Sequence, residues 1–266
     1  MMSVSLTWVD AFTDTPFAGN PAGVCLLEEP LPADFMQSLA AELGIAETAF
    51  VTPTARPDTF GLRWFSPLVE IDLCGHATLA SAHALRALGV LDGTAPVTFE
   101  TRSGPLRASF AGDLIELDFP ADTVTETPLP DALGGEWDKD VVVGAGSTSF
   151  FAVVTLTSEA AVRDYRPDLA AIAATGSKAL LLTAAADRGS GADYVLRVFG
   201  PNVGIDEDPA TGSAQCVAGP YWSAALDRPE LVARQLSARG AVLYVRPDGD
   251  RVHIGGNAVT VFTGRL

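Results

Sequence analysis

The decapeptide Arg63-Trp64-Phe65-Ser66-Pro67-Leu68-Val69-Glu70-Ile71-Asp72 occurs twice in this chain. Its second form, Arg197-Val198-Phe199-Gly200-Pro201-Asn202-Val203-Gly204-Ile205-Asp206, lies 134 residues further on and keeps six of the ten side chains. After a one-residue slip, Ala77-Thr78 meets Ala210-Thr211. The flanks agree in kind: residues 34–52 and 168–183 each read as a helical pattern followed by a strand. Downstream, Gly104 and Gly240 each open a strand–turn–strand pattern. An offset of about half of 266 residues means a duplicated fold of two similar lobes, not a solenoid of short repeats.

Bulk composition narrows the class. A chain that is 48% hydrophobic and 19% charged has the makings of a compact soluble core. A net charge of −16, with Lys139 and Lys178 as the only lysines, argues against nucleic-acid binding, which needs clustered cations. The first ten residues lack the basic and apolar regions of a signal peptide, and no apolar run suits a membrane span. Cys25, Cys74 and Cys216 are odd in number and widely spaced, so free thiols in a reducing cytoplasm are expected.

Periodicity places the elements. Residues 3–11, 24–27, 48–52 and 59–65 read as strands, and 33–43 as a helix closed by Gly44. Cys74-Gly75-His76 opens a helix over 77–88 that is apolar nearly all round and so must be wrapped by other elements. Residues 97–119 give two or three strands, and 120–140, rich in Pro, Asp and Gly, reads as a linker. The second lobe repeats the order, with its apolar helix interrupted at Gly219-Pro220. The expected domains are 1–122 and 123–266, with the C-terminal strand able to return to the first lobe.

The second apolar helix is introduced by Glu207-Asp208-Pro209-Ala210-Thr211-Gly212-Ser213-Ala214, which reads as a helix N-terminus with Pro near its first turn. Helix starts present free N–H groups and a positive partial charge, so each lobe carries a cradle for a small anion. In a duplicated fold the two starts are expected to face one another across a cleft. His76 falls opposite Pro209 and Gly75 opposite Asp208, so the backbone feature is shared while the side chains differ, as an asymmetric ligand requires. Glu47, a lone acid where helix gives way to apolar strand, is either the start of a solvated loop or a base kept partly dry. His76 is either a helix cap or a substrate-orienting group. Asp208 and Ser213 either cap the helix or hold the ligand. His83 reads as packed, and Cys25 and Cys216 as small buried apolar groups. Gly144-Ala145-Gly146 lacks the third glycine and following helix of a dinucleotide loop. No Cys/His/Asp cluster has ligand spacing, so no metal is expected.

Three strings open the chain: Asp10-Ala11-Phe12-Thr13, Phe17-Ala18-Gly19-Asn20-Pro21-Ala22-Gly23-Val24 and Glu47-Thr48-Ala49-Phe50-Val51. Arg63-Trp64-Phe65-Ser66-Pro67, residues 72–80 and residues 207–214 follow in order along most of the chain. Taken together, these strings resemble the PhzF-like isomerase family of the diaminopimelate epimerase-like fold. The resemblance implies an α+β fold of two lobes, each a barrel-like, mostly antiparallel sheet around a central apolar helix, and a homodimer. It implies a proton shift without a cofactor on a small anionic or zwitterionic metabolite. Glu47 is then similar to the family's general acid/base, and His76, Asp208 and Ser213 to its substrate-orienting residues. Gly75 and Gly212 would supply oxyanion-binding N–H groups. Racemases of the wider superfamily carry a cysteine at both helix starts; here Cys74 occupies one place and Thr211 the other. A racemase using Cys74 and a binding or scaffold protein of the same fold are the two other readings. Phenazine-precursor isomerisation is one option among several.

Overall fold

The computed structural model describes residues 4–135, 137 and 140–265. Ser3, the expected start of the first strand, and Glu136, Asp138 and Lys139 of the expected linker lie outside the described residues. The chain divides into two compact units, Met1–Phe119 with Ile254–Leu266, and Pro120–His253. Each is a mixed sheet with few helices. No described helix is long and apolar enough to cross a membrane.

In the first unit β1 (Ser5–Ala11) pairs antiparallel with the C-terminal strand (Ala258–Arg265) on one side and with β2 (Asn20–Leu26) on the other. The helix α1 (Ala33–Leu43) follows, and Gly44 closes it at φ 62°, a left-handed angle that costs glycine little. β3 (Glu47–Pro53) then runs parallel to β2 with Ala22 opposite Glu47, the crossover through α1 being what a parallel neighbour requires. β4 (Thr59–Phe65) is antiparallel to β3, and β5 (Glu70–Ile71) is antiparallel to β4. After α2 (Gly75–Ala87), β6 (Val97–Thr101) lies parallel to β4, and β7 (Gly104–Ala111) and β8 (Leu114–Pro120) extend the sheet antiparallel.

The second unit repeats this pairing pattern. β9 (Thr125–Glu126), β10 (Val142–Ser147) and β11 (Phe151–Leu156) are antiparallel neighbours. Two short helices, α3 (Glu159–Asp164) and α4 (Leu169–Ala174), lead to β12 (Ala179–Ala185), parallel to β11. β13 (Tyr194–Gly200) is antiparallel to β12, and β14 (Ile205–Asp208) to β13. After α5 (Gly212–Leu226), β15 (Leu231–Gln235) lies parallel to β13 and β16 (Ala241–Asp248) antiparallel to β15. Parallel, antiparallel, antiparallel, helix, parallel, antiparallel is thus the order in both units, as the sequence repeat requires.

The residues shared by the two decapeptides have a common task. Arg63 reaches Glu70 through two hydrogen bonds of 2.7 and 2.8 Å, and its guanidinium lies over the Phe65 ring. Arg197 reaches Glu207 through bonds of 2.7 and 3.0 Å and lies over Phe199. A planar guanidinium is suited to both contacts at once, which lysine cannot reproduce. The copies differ in depth: the Arg197 side chain is 9% exposed and that of Arg63 37%. Arg197 also donates to the carbonyls of Val162, Arg163 and Tyr165, tying α3 to the sheet.

Two expectations are corrected. Residues 120–140 are not a free linker, because β9 pairs in the sheet and Leu133 is wholly buried in the second unit's core. Nor does Gly219-Pro220 interrupt the second apolar helix, since α5 runs unbroken through Pro220. Proline at that place lacks the N–H that would bond the Cys216 carbonyl. The Asp122 N–H, at 2.9 Å, supplies that bond instead. A Cβ on Gly219 would stand 2.6 Å from Val245 Cγ1, so the glycine lets the helix press onto β16.

Arg197→Ala is expected to lower unfolding stability by about 3–5 kcal/mol, because it strands a partly buried carboxylate and three carbonyls. Arg63→Ala, at a more exposed arginine whose partner Glu70 keeps Arg102 at 3.0 Å, should cost about 1 kcal/mol or less. Urea unfolding of the two variants compares them directly, and equal losses would refute the structural ranking.

Candidate functional site

α2 is built to carry polar groups into the core. Nine of its residues are buried, among them His76, Thr78 and Ser81. The two hydroxyls turn back to carbonyls of the same helix, Thr78 to Cys74 and Ser81 to Ala77, and so need no outside partner. His76 cannot be satisfied that way, and its ring meets three side chains instead. Nε2 lies 3.0 Å from Glu47 Oε2. Nδ1 lies 3.2 Å from Asn20 Nδ2 and 3.5 Å from Cys74 Sγ. Glu47 is the first residue of β3 and Asn20 the first of β2, so the parallel pairing of those strands delivers both to the helix start.

Glu47 is 8% exposed and Asn20 fully buried. Among the described residues, Glu47 Oε2 has no hydrogen-bond partner beyond its approach to the His76 ring. The solvated-loop reading of Glu47 is therefore set aside. Cys74 occupies the N-cap position of α2 with extended backbone and no side-chain capping bond, so His76 is no cap either.

Burial alone would depress the His76 pKa, but the neighbouring Cys74 and Glu47 more than offset it and hold the imidazole well above its ordinary value. Burial pushes the Cys74 thiol up, only partly opposed by His76. The thiol is therefore neutral near pH 7, where it no longer raises the ring by charge and the Glu47 side chain is the neighbour that does. The same three side chains place one carboxylate oxygen, one ring nitrogen and one sulfur within 4.8 Å of one another. A carboxylate, an imidazole and a thiol are donors that a metal could use, a set that spacing along the sequence did not reveal because strand pairing brings Glu47 to the other two.

The remaining predicted residues form a second group, in the second unit. α5 starts at Gly212, with Thr211 in the N-cap position and making no capping bond of its own. Pro209 therefore precedes the helix and is not part of its first turn, and Asp208 ends β14 and does not cap α5. The Thr211 hydroxyl instead donates to Asp208 Oδ2 at 2.6 Å. Gln235, 1% exposed on β15, accepts the Thr211 N–H at 2.8 Å. Its amide nitrogen donates to the Asp208 carbonyl at 2.6 Å and to Thr211 Oγ1 at 3.0 Å. Gly212 is buried and Ser213 exposed. The Thr211 hydroxyl proton is committed to Asp208, so Thr211 is no counterpart of a free thiol.

Sequence reasoning missed two of these groups. Gln235 had a weak signal, a polar residue in step with Leu231 and Ala233 on the buried face of its strand. Asn20 had a motif around it but no stated role. The other histidine of α2 is packed, as expected: His83 Nε2 lies 2.9 Å from Thr260 Oγ1, and burial pushes its pKa down to about 4. Burial pushes Cys25 and Cys216 up to about 12, in keeping with inert thiols. Gly144-Ala145-Gly146 lies on β10, where a Cβ on Gly146 would stand 2.4 Å from Val124 Cγ1; the glycine serves strand packing.

The protein-family model described as "Phenazine biosynthesis-like protein" matches residues 9–264. An uncharacterized isomerase of Halalkalibacterium halodurans is 40% identical, over 100% of this chain and 99% of its own. A PhzF-family crystal structure from Enterococcus faecalis is 34% identical, covers 100% of this chain and 99% of its own, and superposes with a TM-score of 0.93. A hydroxyproline epimerase of Agrobacterium vitis shares the fold at 13% identity, covering 100% of this chain and 91% of its own with a TM-score of 0.64.

Two measurements check this geometry. A raised folded-state pKa means that His76 stabilises the fold fully below its unfolded value of about 6.5 and progressively less as pH rises through the folded value. Glu47→Gln removes the neighbouring anion, so the His76 ring should lose its proton at lower pH, which NMR of its ring resonances against pH detects. An unmoved midpoint would show that Glu47 is not the group responsible. Gln235→Ala should cost about 1–3 kcal/mol in urea unfolding, because the buried Thr211 N–H loses its acceptor. A loss under half that range would mean that water or a neighbour takes over.

Proposed function

The chain belongs to the phenazine biosynthesis-like family, and from that premise we propose that it is an isomerase moving a proton on a small carboxylate-bearing metabolite without a cofactor. The carrying observation is the buried Glu47 carboxylate, 3.0 Å from a buried imidazole and with an oxygen otherwise unpartnered. A carboxylate so placed can take a carbon-bound proton, becoming a neutral acid, and return the proton at another carbon of a conjugated system. The electron pair left on the substrate passes into its carbonyl or carboxylate group and is held by fixed dipoles. The Gly75 N–H at the start of α2 is assigned that task. His76 holds the Glu47 carboxylate in place and compensates its change of charge. Asp208, Thr211 and Ser213 are assigned to holding the substrate, a neutral or cationic group on it pairing with Asp208.

Support also comes from the relative named as an isomerase. The racemase reading requires Cys74 as a base, and burial works against it by keeping that thiol protonated. The scaffold reading leaves the buried pair of Glu47 and His76 without a task.

The test is hydrogen exchange. The chelator-treated protein is incubated in D₂O with a panel of small cyclic and linear carboxylates and amino acids, and mass gain is followed. One compound is expected to gain deuterium with wild type and with Cys74→Ser, and about 10²–10⁴-fold more slowly with Glu47→Gln. Exchange lost in Cys74→Ser but kept in Glu47→Gln would establish the thiol racemase. A compound that binds without exchanging would favour the scaffold.

A further inference from the structure

We propose that Asn20 is the positioning residue that sets the tautomer of His76, placing the single proton of the neutral ring on Nε2, toward Glu47. A neutral imidazole has one donor and one acceptor nitrogen, and its neighbours decide which is which. Nε2 faces a carboxylate, which can only accept. Nδ1 faces the Asn20 amide nitrogen at 3.2 Å, which can only donate. Cys74 Sγ is the other group near Nδ1, at 3.5 Å, and a buried protonated thiol is a weaker donor than an amide. Glu47 from β3, Asn20 from β2 and Cys74 from the segment before α2 are the polar side chains whose contacts with the ring the structure describes.

The fold holds Asn20 firmly enough for this role. It sits opposite Ala11 where β1 and β2 pair, directly after a tight loop. Gly19, at φ 63°, lets the loop close, since a Cβ there would stand 2.2 Å from the Ala11 carbonyl oxygen. The buried Asp10 carboxylate accepts the Phe17 N–H at 2.7 Å and pins the loop from inside. Phe12 and Phe17 are both held at left-handed φ, of 62° and 71°, a conformation that bulky side chains seldom adopt. Strain of this kind persists where surrounding contacts over-determine the backbone.

The amide adds a property that a fixed donor lacks. Turned by 180°, it presents Oδ1 and can accept a hydrogen bond from a protonated Nδ1. Asn20 can thus follow His76 between its neutral and doubly protonated states without leaving a buried ring nitrogen unpaired. This inference rests on the reading that Glu47 and His76 act together, but its test needs no substrate, so failure to find exchange leaves it standing.

Nitrogen-15 NMR of the histidine rings in the full-length protein decides it. In wild type above the His76 titration, Nε2 should carry the proton and Nδ1 should have the shift of a hydrogen-bonded acceptor. Asn20→Asp replaces the donor with an acceptor, so the proton should move to Nδ1 and the affinity of the ring for its second proton should rise about tenfold or more. Asn20→Leu, of similar size, should leave a mixture of tautomers. Cys74→Ala should keep the wild-type pattern. Nδ1 protonated in neutral wild-type His76 would overturn the proposal without any variant, as would an Asn20→Leu spectrum identical to wild type.

Discussion

The parallel pairing of β2 with β3 is the constraint on which the first unit's chemistry rests. It sets Ala22 against Glu47 and so brings the first residues of two strands to one helix start. A slip of one residue would turn every side chain of β3 to the opposite face. Glu47 would leave the His76 ring, and Ala49 and Val51 would leave the positions where they are now buried. Register and reactivity are therefore one requirement, enforced by the same apolar contacts. Burying a carboxylate and an imidazole is unfavourable unless they find each other, and this register is what lets them do so.

The second unit meets the same problem differently. Its helix start is organised through a neutral amide, with Gln235 bracing Thr211 and Thr211 fixing one oxygen of Asp208. Duplication has preserved the strand order and the arginine brackets while letting the residues at the two helix starts diverge. That is the expected result when backbone pairing carries the fold and side chains carry selectivity.

Much of this was legible in the sequence. The repeated decapeptide announced a repeated pairing pattern because its Arg and Phe make the same bracket in both places. The apolar faces of residues 77–88 announced a buried helix, whereas a lone glutamate before an apolar strand left a dry carboxylate as one of two readings. Distances between residues remote in sequence were not legible: Asn20 and His76 are 56 positions apart, and only strand pairing joins them. Local rules misread Pro220, since the compensating donor on Asp122 lies nearly a hundred residues earlier. They also misread residues 120–140, where turn-forming composition conceals Leu133 in the core. Tertiary partners override local propensity in each case.

The placement of the C-terminal strand has a consequence for how the protein is made. The first unit opens with β1 and is finished only when residues 258–265 pair beside it, while the second unit is encoded wholly in between. During synthesis, then, the later-encoded unit is the first to have all of its strands. β1 waits meanwhile with one edge bare through more than two hundred residues of translation. An open edge is a template for pairing with another chain. The order of synthesis thus makes the N-terminal half of the nascent chain the part most in need of protection from its neighbours on the same messenger.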